Sequence, residues 1–169
     1  MFFNVWLPVI ISAVVVVLFA VSLFIRNKKV NYDERQIFAR NAACKSSFSF
    51  LVVYCFICGL LHIFDVKWAG TTVQMFLGII LSFALFLAIT IAKDAYFTNS
   101  RKQITQSVIS FFSYGILCLL FFLMGLRNGE ALLQNGELST LALYLTGSVC
   151  SFVLGIISVI KMNSEKRGA

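Results

Sequence analysis

Five stretches of this chain contain no Asp, Glu, Lys or Arg and are almost wholly apolar: residues 6–25, 48–64, 73–92, 107–126 and 141–160. Lipid offers a crossing backbone no hydrogen-bond partner, so each run must satisfy its own peptide groups, and a lone segment does that only as a helix. At about 1.5 Å per residue, every run covers or nearly covers the roughly 30 Å of hydrocarbon in a bilayer. β-branched residues such as Val14 to Val17 are mediocre helix formers in water, but lipid leaves them no alternative. The expected fold is all-α: a polytopic integral membrane protein, one membrane domain over residues 1–169, built as a bundle of five transmembrane helices. Soluble domains are roughly 45–50% apolar and about 25% charged, whereas this chain has 60% hydrophobic and 12% charged residues. No room is left for a separate globular domain, which excludes most soluble-enzyme classes.

A net charge of +7 would point to nucleic acid in a soluble protein; here the placement of the cations matters more. Twelve of the fourteen lie in residues 26–46, 93–106 and the tail after 160, while only Lys67 and Arg127 fall in the alternate connections. The positive-inside rule then sets the N-terminus outside and the C-terminus in the cytoplasm of a cell membrane, with no nucleic-acid partner. No cation precedes the first run, and Arg26, Lys28 and Lys29 follow it, the pattern of a retained helix rather than a cleaved signal peptide. Ser100-x-x-Gln103 reads as a capping box opening the fourth helix, with Asn31-x-x-Glu34 a weaker version before the second. Residues 130–134, bracketed by Asn128-Gly129 and Asn135-Gly136, read either as one or two helical turns at the outer interface or as a polar loop.

The second half echoes the first. Tyr54-x-x-x-Cys58 matches Tyr114-x-x-x-Cys118, and Gly78-x-x-x-Ser82-Phe83 matches Gly147-x-x-x-Ser151-Phe152. Either helix hairpins 2–3 and 4–5 form a parallel repeat, as in some transporters, or a limited apolar alphabet has produced chance matches. Tyr54, Ser82, Tyr114 and Ser151 are the residues that would line a cavity between those helices. The ladder Gly147, Ser151, Gly155, with Gly78 and Ser82, also suits close approach of packed helices.

On the second run Cys55, Cys58, His62 and Asp65 fall within roughly 80° of one another at helical spacing, a stripe of metal-ligand types. They span about 15 Å along the axis, too far for one ion, so cysteines packing between helices, with His62 and Asp65 meeting water, is the plainer reading. The odd count of five cysteines does not suggest a disulfide framework.

The segment 32–43 interleaves Asp33, Glu34, Arg35 and Arg40 with Ile37, Phe38 and Ala42. Within the basic 26–46 segment it suits an amphipathic helix at the inner interface, contacting anionic lipid or a protein partner. Tyr32-Asp33-Glu34-Arg35-Gln36, followed by Arg40 and by Ala43 and Lys45, resembles a juxtamembrane "YDERQ…R…KA" signature of small uncharacterised bacterial multi-pass membrane proteins. The match covers only this short segment. Asn41 to Lys45 depart from the more usual Gly/Lys-Ala pattern. The resemblance implies a bacterial plasma-membrane address and a role beside a regulator or exporter, and it carries over no catalytic residue.

No phosphate loop, Ser/His/Asp motif or intramembrane carboxylate pair is present. Ion-coupled transporters usually keep ionisable groups at mid-membrane, and here only His62 approaches that role. No enzyme activity and no cofactor are expected. The sequence suits a non-enzymatic accessory or regulatory membrane protein, whose partners are the bilayer and another membrane protein or cytoplasmic regulator. The alternatives are a small carrier or immunity-type protein for an apolar or peptide-like solute, and an outward-facing metal or thiol-redox protein.

Overall fold

The computed structural model describes residues 33–96, 101–134 and 136–167, with backbone alone for 101–103 and 164–167. The first apolar run and the expected caps Asn31 and Ser100 lie outside the described residues. In chain order the elements are α1 (Glu34–Ile63), α2 (Thr71–Ala92), α3 (Arg101–Arg127), strands β1 (Leu133–Gln134) and β2 (Glu137–Leu138), and α4 (Leu141–Arg167). Among the described residues, four helices are long and apolar enough to cross a membrane.

Helices α2, α3 and α4 contain the runs 73–92, 107–126 and 141–160 and extend beyond them. The larger difference is α1. The sequence suggests a helix over 48–64 after a separate basic segment, but one 30-residue helix runs from Glu34 to Ile63. No Gly or Pro interrupts residues 34–58, and Ala39, Ala42 and Ala43 favour helix, so nothing stops propagation from the apolar part into the charged part. Asp33 supplies its carbonyl to the Gln36 and Ile37 amides at 2.9 and 3.0 Å.

Three helices end alike. The Val66 amide bonds the Leu61 carbonyl, Ala95 bonds Thr90 and Glu130 bonds Gly125, at 2.9, 2.9 and 3.0 Å. This six-to-one closure needs a left-handed residue just past the helix. Gly129 provides it with φ 83°, whereas Asp65 and Asp94 adopt φ 52° and 57°, which short polar side chains tolerate better than most.

Side-chain contacts fix the arrangement. Helix α1 lies antiparallel to α2: the Tyr54 ring rests on Gly78, Ser82 Oγ donates to the Ser47 carbonyl at 3.0 Å, and Gln36 Nε2 donates to the Asp94 carbonyl at 3.1 Å. Helix α3 lies antiparallel to α4, with Leu141 against Gly125 and the Phe112 ring on Gly155, and Ser148 Oγ donates to the Gly115 carbonyl at 3.0 Å. The central pair, α2 and α4, run parallel: Val73 shares a cluster with Leu143, Leu87 packs with Leu154, and Lys161 Nζ meets Asp94 Oδ2 at 2.6 Å. The order across the layer is α1, α2, α4, α3. In the membrane-length windows of α2 and α4, 28% and 33% of residues are buried, against 6% for α1 and 17% for α3. Small residues occupy the crossings because, without water to drive association, helices in lipid gain most from close backbone approach. The two hairpins differ in contact register: Gly78 meets Tyr54, while Gly147 meets Cys118 and Tyr114 is 56% exposed.

Residues 130–134 form no helical turns. Leu133 pairs with Leu138 and Gln134 with Glu137 in an antiparallel ribbon, with Gly136 at φ 82°. The Leu138 amide then bonds the Trp68 carbonyl at 2.8 Å, tying the connection between α3 and α4 to that between α1 and α2.

Candidate functional site

At the cation-poor end, the last turns of α1, residues 65–70 and the first turns of α2 enclose a cleft of about 410 Å³. The 100° helical step that places Cys55, Cys58 and His62 on one stripe also turns them, with Tyr54 and Gly59, toward it; Asp65 follows at the turn. Thr71, Gln74 and Met75 form the facing wall, Lys67 stands at the loop, and Glu137 arrives from β2.

Two of these residues brace the walls. Tyr54 donates to the Gln74 carbonyl at 2.8 Å, and Gln74 Nε2 donates to the Ala69 carbonyl at 2.6 Å. His62, Asp65, Lys67, Thr71 and Glu137 make no side-chain hydrogen bond or ion pair among the described residues, so donors and acceptors of both charge signs face one opening. All five cysteines are free. Among the described residues, no three His, Cys, Asp or Glu side chains converge closely enough to hold a metal ion. The stripe Cys55, Cys58, His62, Asp65 therefore lines a cleft without forming a coordination sphere, as its length along the helix implies.

Of Tyr54, Ser82, Tyr114 and Ser151, only Tyr54 reaches this cleft. Ser82 bonds α1, Ser151 is buried against Gly115, and Tyr114 points outward from α3. These three side chains serve helix contacts or the outer surface. Glu137 and Thr71 are cleft residues that sequence reasoning missed. Gln74 was readable as the one carboxamide in its apolar run, but nothing local predicts that Glu137 folds back over the first hairpin.

The opposite, cation-rich end carries the second candidate set. Asp33, Glu34 and Arg35 are exposed on the first turn of α1, whereas Arg40 is half-buried. Ala39, Ala43 and Ser47 form the buried stripe, and Arg40, one residue beyond Ala39, lies about 140° from Arg35 on the helix. The four residues therefore do not form a single surface. Asp94 is the hub: its carbonyl receives Gln36 and its carboxylate receives Lys161.

No protein-family model, curated protein or solved structure matches this chain.

Proposed function

We propose that this is a non-enzymatic accessory or regulatory protein of a bacterial plasma membrane. It crosses five times, with the N-terminus outside and the C-terminus in the cytoplasm. It acts by helix contact within lipid and through the basic 26–46 segment on the cytoplasmic side. Support comes chiefly from α1: its apolar window is 6% buried, and its first half carries Arg35, Asn41 and Lys45 at exposed positions. A helix that contributes so little to its own bundle, yet keeps polar groups along it, suits contact with something outside the chain.

Because Arg40 is half-buried, Arg35→Glu is the cleaner variant, and Arg40→Glu reports partly on folding. After cross-linking and purification in mild detergent, Arg35→Glu should release the protein that co-purifies with the wild type. An unchanged partner set with an intact fold rejects the reading.

The cleft favours a second reading, a binding protein for a small peptide-like solute held between Lys67 and the carboxylates of Asp65 and Glu137. Lys67→Ala and Glu137→Ala should then each weaken binding of dipeptides to purified protein. No saturable binding by the wild type removes this option.

A further inference from the structure

The cleft at the cation-poor end changes character with depth. Asp65, Lys67, Thr71 and Glu137 border it where α1 ends and α2 begins, whereas Tyr54, Cys55, Gly59 and Met75 border it deeper. The Tyr54 ring rests on Gly78, so the cleft reaches about 10 Å down α2 from Thr71 at the usual helical rise. Helix α2 carries no Asp, Glu, Lys or Arg, which sets that depth at the level of hydrocarbon, with Asp65 and Lys67 at its boundary. The cleft therefore crosses the interface between water and lipid. Its deep side is open as well: Met75 is 66% exposed, and a Cβ built on Gly59 meets nothing within 4 Å.

Charge and depth together select the occupant. Asp65, Lys67 and Glu137 make no side-chain hydrogen bond or ion pair among the described residues, although Glu137 is half-buried, and a charge withdrawn from water calls for a partner. The first turn of α2 adds amides beside Lys67, and its cap residue Gly70 supplies no side-chain bond to them, so an anion there meets further donors. An ammonium next to an anion describes a dipeptide and a phosphoethanolamine headgroup equally. A dipeptide leaves the opening at Gly59 and Met75 unfilled. A phospholipid continues past its phosphate into glycerol and acyl chains, which suit that apolar depth and leave sideways into the bilayer. Carboxylates only accept hydrogen bonds, which favours a primary ammonium with three N–H donors over the trimethylammonium of choline. The volume of about 410 Å³ falls within the range of sites that hold small organic groups.

We propose that the cleft holds a phospholipid with a primary-amine headgroup, of the phosphatidylethanolamine class. Its ammonium lies toward Asp65 and Glu137, its phosphate toward Lys67 and the α2 amides, and its acyl chains pass Gly59 and Met75. The assignment rests on the charge pairing of the second reading above and replaces the water-borne solute by a lipid.

The test uses the full chain in phosphatidylcholine nanodiscs with a trace of phosphatidylethanolamine that carries a diazirine at the head of one acyl chain. After irradiation, peptide mapping should find the label concentrated in residues 54–59 and 71–75, and unlabelled phosphatidylethanolamine should displace it. Asp65→Asn and Glu137→Gln should each lower the yield roughly fivefold, the worth of one partly exposed charge-assisted bond. Gly59→Leu, which fills the open space, should lower it at least as far while unfolding in detergent like the wild type. Lys161→Met, at the other end of the bundle, should leave it unchanged. Label spread evenly over all four helices, or an equal yield from a phosphatidylcholine probe, overturns the proposal. So does displacement by dipeptides or by glycerophosphoethanolamine, which lacks acyl chains, as complete as displacement by the intact lipid; that result returns the cleft to a soluble ligand and leaves the second reading standing. Concentrated labelling without saturable dipeptide binding removes the solute and keeps the lipid.

Discussion

The contact of Tyr54 with Gly78 allows a sharp test of how α1 is held. A Cβ added at position 78 would stand 2.6 and 2.7 Å from two carbons of the Tyr54 ring and 3.4 Å from Leu51 Cδ1. Carbon atoms settle at about 3.5–4.0 Å, so the ring or the whole helix must retreat by roughly 1 Å. The ring is not free to do so, because its hydroxyl donates to the Gln74 carbonyl at 2.8 Å. Overpacking of this kind costs about 1–3 kcal/mol, and loss of the hydrogen bond adds about 1 kcal/mol. Against this, replacing Gly by Ala within a helix favours the helix by about 1 kcal/mol. Gly78→Ala should therefore weaken the α1–α2 hairpin by about 1–3 kcal/mol. Gly59, on the same α1, has nothing within 4 Å of a built Cβ, so Gly59→Ala should be neutral or stabilising by up to about 1 kcal/mol. Unfolding of purified protein in mixed micelles, titrated with denaturing detergent and followed by energy transfer between labels on α1 and α2, measures both. Combining Tyr54→Ala with Gly78→Ala should recover at least about 1 kcal/mol, since neighbours in contact are non-additive. If Gly78→Ala is as benign as Gly59→Ala, or the pair is simply additive, the assigned packing is wrong.

Three further outcomes use the same unfolding assay. Gly155→Ala, whose Cβ would lie 2.9 Å from the Phe112 ring, should weaken α3–α4 and be relieved by Phe112→Leu. Ser148→Ala removes the bond to the Gly115 carbonyl and should lower stability by about 0.6 kcal/mol, the usual worth of such bonds between membrane helices. Lys161→Met breaks a partly exposed ion pair, so its effect should stay below about 1 kcal/mol and shrink as salt is raised.

The legible parts of the fold were those written in local chemistry. Charge-free runs ending at Lys93, Arg127 and Lys161 located α2, α3 and α4 to within a few residues in their apolar parts. The Cys55, Cys58, His62, Asp65 stripe followed from helical spacing alone, and these residues do share a cleft. The inner half of α1 was hidden because Arg40 and Lys45 end the hydropathy signal while leaving helix propensity intact. Asn135-Gly136 is the dipeptide most favoured in tight hairpins, so the β1–β2 ribbon had a local signal in the sequence. Which helices touch was not legible: α2 and α4 meet in parallel through Val73 and Leu143 and Leu87 and Leu154, and hydropathy alone does not choose between neighbours.

The two ends of the bundle are tied by different physics. At the cation-poor end, the Trp68 carbonyl and the Leu138 amide join the two hairpins through backbone, over a cluster of Ala69, Val73 and Leu77. Salt and surface charge scarcely perturb such a joint. At the basic end, Asp94 receives the Gln36 amide and the Lys161 ammonium, beside a second apolar cluster of Leu87, Ile91, Ile104 and Leu154 and the buried Ala39, Ala43 and Ser47 of α1. Ion pairs this exposed contribute at most about 1 kcal/mol, an amount that a competing anion at the surface matches. Losing that pair leaves the apolar contacts of α1 and α4 at the basic end in place. Salt should therefore loosen the Asp94 contacts without separating either end of the bundle, since both ends keep a buried apolar cluster.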